Sequence, residues 1–372
     1  MNLLPVGIRS LAVSFPSITR TNDYYRENYP ELVAQAEQKT LSKVFSTTKF
    51  SSGNQFDREM IPYLSDPFRG TVERRVFAPG ESALTISERA AKEAISAAKL
   101  TAKDIDLMLV GTIFTDQLGP GNAAFLAEQL GLQGAAWNLE STCSSAVAAL
   151  QTATSMVQAG QYKNVLVVIC TNYSPLTDPQ DTLSFLSGDG AGAVVVSQLK
   201  PNQGVLGTKI LNTACTCNTF YNEITMDAQN NPRIYIRAAK GTGKILSDTA
   251  AQYLKKCCQG AVEAAGVTLE DIDFFAFNTP TAWYVDVCVK ALGIDRDRTI
   301  NLNDRYANIG PAFPFTNLYH AARSGKIKEN DLVLVYTIGS VSNAGACVMR
   351  WGDVAVSYQS TVSSKQLATS NK

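Results

Sequence analysis

Residues 100–112 read LTAKDIDLMLVGT, and residues 267–279 read VTLEDIDFFAFNT. The tripeptide Asp104-Ile105-Asp106 returns as Asp271-Ile272-Asp273 at an offset of 167, and each copy runs into an apolar strand. The same offset relates NVLVVICTN at 164–172 to DLVLVYTIG at 331–339. A third match, AGAVVV at 191–196 with AGACVM at 344–349, has an offset of 153, so about 14 residues are inserted late in the first copy. Self-similarity at a fixed offset marks a duplicated structural unit.

Each copy carries an Ala-rich helical stretch, the DID turn, an apolar strand, a helix, a Gly-containing turn, a second strand and a Gly-Ala strand. Runs such as LVVI and LVLV are continuously apolar and β-branched, as strands covered by helices on both faces should be. The pattern predicts α/β layering in two halves, 1–200 and 201–356, with a polar, aperiodic tail over 357–372. Amphipathic helices are expected over Ile86–Lys99 and Thr249–Ala265. The segment SSAVAALQTATSMVQAG after Cys143 is apolar nearly all round, which places it between two sheets. Residues 20–80, rich in Tyr, Pro, Arg and Ser, have no counterpart in the second copy and read as a helical cap.

Composition narrows the chemistry. The 372 residues include 33 basic and 33 acidic side chains, so nothing in the net charge favours a nucleic-acid partner. There is one histidine, His320, which excludes His-rich metal centres, and no paired CxxC spacing for a Cys-only zinc site, so no metal is expected. Eight irregularly spaced cysteines read as reduced thiols, and the N-terminal sequence lacks a signal-peptide pattern. No apolar run approaches the ~18 residues that span a bilayer. A cytoplasmic protein with no membrane association is expected.

Cys143 follows a short apolar stretch, AAWNL, and sits at the start of the buried helix. Unpaired N–H groups and the dipole at a helix N-terminus stabilise a thiolate, so a lowered thiol pKa is expected there. The turn also offers a backbone N–H to a developing oxyanion. In the second copy, the matching interval holds NLNDRYANIGPAF with Asn308 before a Gly-Pro turn, and Asn278 ends the second DID strand. Cys143, Asn278 and Asn308 thus fall at strand ends, where ligands bind in open α/β sheets. His320, in NLYHAARSGK, reads as a surface or interface residue.

The stretches STCSSAVAALQTATSMVQAGQYKNVLVVICTNYS, DTLSFLSGDGAGAVVVS, YANIGPAF and HAARSGKIKENDLVLVYTIGSVSNAGA resemble the thiolase-like condensing enzymes of the β-ketoacyl-acyl-carrier-protein synthase III type. The resemblance implies a five-layered αβαβα fold from two duplicated halves, a homodimer, and no permanently bound cofactor. Coenzyme A or phosphopantetheine would carry the thioester substrate. By position it makes Cys143 the acyl acceptor and Asn308 the site asparagine, and puts Gly339 and Ser340 where an oxyanion-hole N–H is found.

Three departures accompany the resemblance. The family's catalytic His is replaced by Asn278, in Asn278-Thr279-Pro280-Thr281. An amide can donate a hydrogen bond but cannot act as a general base, a role worth roughly 10²–10⁴-fold. A bulky Phe is replaced by Gly119, which implies a roomier acyl pocket, and an Arg by Trp283, which either packs in the core or lines the substrate tunnel. The implied activity is acylation of Cys143 from acyl-CoA or acyl carrier protein, followed by Claisen condensation. Alternatives are transfer to a hydroxyl or amine in specialised metabolism, or a weakly active partner subunit. Carrier docking would use a local basic patch around Arg69, Arg74 and Arg75.

Overall fold

The structure, a computed structural model, describes residues 4–44, 54–117, 119–227, 229–339 and 341–357. In chain order the first half contains β1 (Val6–Ser14), β2 (Ile18–Thr21), α1 (Asn22–Asn28), α2 (Pro30–Val44), α3 (Gln55–Met60) and β3 (Glu73–Val76). It continues with α4 (Ala83–Ala97), β4 (Leu107–Thr112), α5 (Asn122–Leu130), β5 (Ala135–Asn138), α6 (Ser145–Gln158), β6 (Asn164–Asn172) and β7 (Asp189–Gln198). The second half runs β8 (Gly204–Asn212), β9 (Phe220–Met226), β10 (Pro232–Ala238), α7 (Thr242–Ala265), β11 (Phe274–Phe277) and α8 (Tyr284–Leu292). It closes with α9 (Asn303–Tyr306), α10 (Phe313–Arg323), β12 (Leu332–Ile338), β13 (Asn343–Arg350) and β14 (Ala355–Val356).

Two mixed sheets repeat one topology. The first has the order β14-β1-β7-β6-β4-β5 and the second β11-β12-β13-β8. In each, the DID strand pairs parallel with the next long strand, which pairs antiparallel with the Gly-Ala strand, which pairs antiparallel with the half's first strand. The register corrects one offset: Leu107 faces Val165 and Phe274 faces Val333, so these long strands correspond at 168 residues, not 167. The 153 offset holds, since Val165 faces Val196 and Val333 faces Met349.

The DID residues account for their own repetition. Asp104 and Asp271 each accept hydrogen bonds from the backbone and hydroxyl of the threonine three residues earlier, fixing the turn after the helix. Asp106 and Asp273 each reach across to backbone N–H groups at the start of the neighbouring long strand. The middle residue, Ile105 or Ile272, is buried.

A continuous apolar core joins the inner faces of both sheets through α6 and α10, with Val147, Leu150, Phe315 and Leu318 among its members. Helix α4 packs on the outer face of the first sheet and α7 and α8 on that of the second, each over its own apolar cluster. Five layers, αβαβα, result. Helix α4 begins three residues ahead of expectation, where Ser82 and Thr85 form a capping box, and α7 begins seven residues early. The segment 20–80 is not purely helical: β2 and β3 pair antiparallel and close it at its base. The second half has an insertion at the equivalent place, the hairpin β9–β10, which the sequence pattern did not disclose. The expected tail lies outside the described residues from 358 onward. No helix among the described residues is long and apolar enough to cross a membrane.

Candidate active site

Cys143 lies on a single 3-10 turn, Thr142–Ser144, that leads into α6. Thr142, before it, has φ +46°, an unfavourable backbone for a β-branched residue. Ser141 and Ser145 hold the turn by a backbone-to-hydroxyl bond of 2.8 Å, and Ser144 bonds Thr337 of the second half at 3.0 Å. The turn that carries Cys143 is therefore braced from both halves.

The Cys143 thiol is not lowered in pKa as expected; it is raised from 9 to about 11. Burial is the main cause, and the Glu140 carboxylate adds to it, while a hydrogen bond with Tyr173 opposes both. Desolvation of the charged sulfur outweighs the helix end. Tyr173, which follows β6, places its Oη 3.7 Å from Cys143 Sγ. Its hydroxyl is itself pushed well above the usual 10 by burial and by the neighbouring thiol.

Gly310 is where the other groups meet. Asn278, fully buried at the end of β11, donates from Nδ2 to the Gly310 carbonyl at 3.3 Å, and its Oδ1 has no protein partner among the described residues. Asn308 accepts the Gly310 N–H on Oδ1 at 2.8 Å. A Cβ on Gly310 would lie 2.8 Å from Tyr173 Oη, so only glycine lets the phenol approach, and its φ of +42° also favours glycine. The asparagine loop is joined to the first half by backbone: Asn308 N–H donates to the Leu186 carbonyl at 2.8 Å and Gly188 N–H to the Asn308 carbonyl at 3.0 Å.

The remaining expected positions separate from this cluster. Gly339 spends its N–H on the Asn343 carbonyl at 2.7 Å, so that donor is not open to an oxyanion, and Ser340 lies outside the described residues. Trp283 is buried, with its ring 6.0 Å from Phe56 and 5.7 Å from Tyr63, centre to centre, in the apolar cluster of the second sheet. Gly119 is exposed, with nothing within 4 Å of where a Cβ would stand.

Two other positions need comment. His320, expected at a surface or interface, is half-buried in the single chain, 2.9 Å from the Tyr306 hydroxyl, and burial together with Arg305 and Arg323 lowers its pKa to about 4. The basic patch does not form. Arg74 is wholly buried against Tyr25 and Phe68 and donates to the Phe185 carbonyl, Arg69 turns inward to the carbonyls of Tyr63 and Leu64, and Arg75 lies 3.8 Å from Glu73.

Sequence reasoning missed Tyr173. It stands in the stretch between β6 and β7 that the second half lacks, so the repeat gave no matching position to compare. Asp189, at the start of β7, carried no signal in the sequence either. Fully buried, it accepts from the Ser174 N–H at 2.8 Å and the Phe77 N–H at 3.3 Å, and burial raises it to about 7 despite those donors.

Comparison with known proteins agrees with this architecture. Residues 137–214 match the family model for 3-oxoacyl-[acyl-carrier-protein (ACP)] synthase III, and 262–351 match the model for its C-terminal part. The β-ketoacyl-[acyl-carrier-protein] synthase III of Chelativorans sp. is 30% identical over 285 residues, covering 76% of this chain and 88% of that protein. Its counterpart in Rhizobium meliloti is 29% identical over 294 residues, with the same coverages. The crystal structure of 3-oxoacyl-[acyl-carrier-protein] synthase III from Aquifex aeolicus superposes with a TM-score of 0.75 at 25% identity, covering 93% of this chain and all of that one. The two sheets of one topology, the thiol between them and these matches place the chain in the β-ketoacyl-[acyl-carrier-protein] synthase III family of thiolase-fold acyltransferases.

Proposed function

We propose that Cys143 is the acyl acceptor of a two-step acyltransferase, taking its acyl group from an acyl-CoA or acyl-carrier-protein thioester and passing it to a second substrate. The observation that carries this reading is the convergence of Cys143, Tyr173, Asn278 and Asn308 around Gly310 at the ends of strands and central helices. With Oδ1 of Asn308 occupied, its Nδ2 is the group left to donate to a substrate carbonyl. In the family's reaction the second step is a Claisen condensation with a malonyl thioester, and Asn278 takes the position of the histidine.

One observation favours a second outcome for that step. The unpartnered atom of Asn278 is Oδ1, a hydrogen-bond acceptor, and one of the two N–H groups on Nδ2 is already given to Gly310. An acceptor orients the O–H or N–H of an incoming hydroxyl or amine, but offers nothing to an enolate oxygen. Transfer to such a nucleophile, without decarboxylation, is the alternative product-forming step. A homodimer belongs to the same reading: β5 forms one outer edge of the first sheet, with Trp137 on it 37% exposed.

Intact-mass measurement after incubation with acyl-CoA or acyl carrier protein tests the first step. An acyl adduct on the wild type that Cys143→Ala abolishes is the expected result, and no adduct from any donor would overturn the reading. Release of CO₂ on adding malonyl thioester to the acylated protein separates condensation from transfer to a hydroxyl or amine.

A further inference from the structure

We infer that Tyr173 is a further catalytic residue, whose hydroxyl donates a hydrogen bond to the Cys143 sulfur and supports the thiolate that attacks the incoming thioester; this rests on the reading of Cys143 as acyl acceptor. The geometry is built for that contact. Tyr173 Oη stands 3.7 Å from Sγ, within reach of a sulfur hydrogen bond, and the bare Cα of Gly310 leaves room for the ring. The backbone that carries the phenol is fixed at several points. Thr177 Oγ1 and the Leu176 N–H both donate to the Tyr173 carbonyl at 2.9 Å, and the buried Asp189 accepts the next N–H, that of Ser174, at 2.8 Å.

Among the described residues, no other side chain takes this part. The sole imidazole, His320, is bonded to Tyr306. Among the titratable groups facing the sulfur, Glu140 disfavours its negative charge and only Tyr173 favours it. Asp189, nearby, engages backbone N–H groups of the Tyr173–Ser174 stretch and of Phe77. Cys143 is half-buried, and besides its own backbone N–H the Tyr173 hydroxyl is the donor that offsets part of the desolvation cost of its thiolate.

The step balances without a further reactant. Cys143 loses its S–H proton to water, and its sulfur forms a bond to the carbonyl carbon of the donor thioester while Tyr173 keeps its own proton. The donor's C–S bond breaks, and the departing thiolate takes a proton from water and leaves as a thiol. Once the sulfur is acylated it is a poor acceptor, so the Tyr173 hydroxyl contributes more to the attacking thiolate than to the thioester product.

Tyr173→Phe removes the hydroxyl and little else. The rate of Cys143 alkylation by iodoacetamide, followed on its peptide by mass spectrometry from pH 6 to 9, reports thiolate formation without any enzymatic turnover. In the variant the profile should move to higher pH by about one to two units, and acylation by acyl-CoA at pH 7 should fall about 10- to 100-fold, with thermal unfolding unchanged. An unshifted profile with an acylation rate within about twofold of wild type would overturn the inference. Should the variant fail to fold, 3-fluorotyrosine placed at position 173 supplies a more acidic phenol, and the profile should move to lower pH; an unmoved profile again overturns it. A wild type that is alkylated but never acylated defeats the acyltransferase reading, while the alkylation profiles still decide the role of Tyr173.

Discussion

Asn278 and Gly310 are joined by a 3.3 Å hydrogen bond from the Asn278 amide to the Gly310 carbonyl. Asn278→Ala removes that tie and the unpartnered Oδ1 together, but leaves Cys143 and Tyr173 in place. Acylation of Cys143 should stay within about threefold of wild type, while the second step falls by roughly 10²-fold, since only that step uses the group at this position. Asn278→His should raise CO₂ release from malonyl thioester at least about tenfold. The larger ring in a fully buried position should cost about 1–3 kcal/mol, readable as a lower urea midpoint.

A methyl group at Gly310 meets two obstacles, the +42° φ and the Tyr173 hydroxyl 2.8 Å away. Gly310→Ala should therefore destabilise by about 1–3 kcal/mol. It should also slow Cys143 acylation by displacing the phenol, so urea unfolding and adduct formation should worsen together. An equally stable variant with slow acylation would separate the two effects.

The raised Asp189 gives a signed dependence on pH. Its carboxyl is neutral in the folded chain up to about 7 but ionises near 3.8 when unfolded. Between those values the folded state holds more protons, so this group's contribution is fully present below pH 3.8 and is lost as pH rises through 7. Asp189→Asn cannot ionise, so wild-type stability should fall relative to the variant between pH 4 and 7, by an amount on the order of a few kcal/mol. Urea midpoints of both proteins across that range supply the measurement.

His320 works in the opposite direction. Its folded pKa of about 4 lies below the ordinary 6.5, so the unfolded chain binds the proton first as pH falls. The charged and titratable neighbours are Arg305, Arg323, Tyr306 and Tyr319, and the two arginines oppose a further positive charge. Wild-type stability should therefore drop relative to His320→Gln on acidification from pH 6.5 to 4, and the two should run parallel above pH 7. Thermal unfolding at stepped pH checks the divergence.

The duplicated fold was legible because its markers act locally. Asp104 and Asp271 fix their own turns, and Asp106 and Asp273 tie each DID strand to the neighbour it must pair with. The one-residue change of offset was not visible, since apolar strands of similar composition slide past one another in an alignment without penalty. Cys143 was singled out from its place ahead of an apolar helix, and Asn278 and Asn308 from the repeat; the structure brings all three near Gly310. The thiol's pKa was misjudged because a helix end can be read from sequence, whereas the desolvation that outweighs it depends on packing from both halves. Arg74 misled for the same reason: beside Arg75 it reads as a charged patch, yet its guanidinium is sunk between Tyr25 and Phe68. Tyr173 left no periodic trace at all.

The backbone links from Leu186 and Gly188 to Asn308 make the two halves depend on each other. The two halves share a topology, but they are not interchangeable. The first supplies the sulfur and the phenol, the second supplies both amides, and the stretch that clasps Asn308 exists only in the first. A chain assembled from two first halves or two second halves could rebuild the sheets and would possess only half of the proposed site.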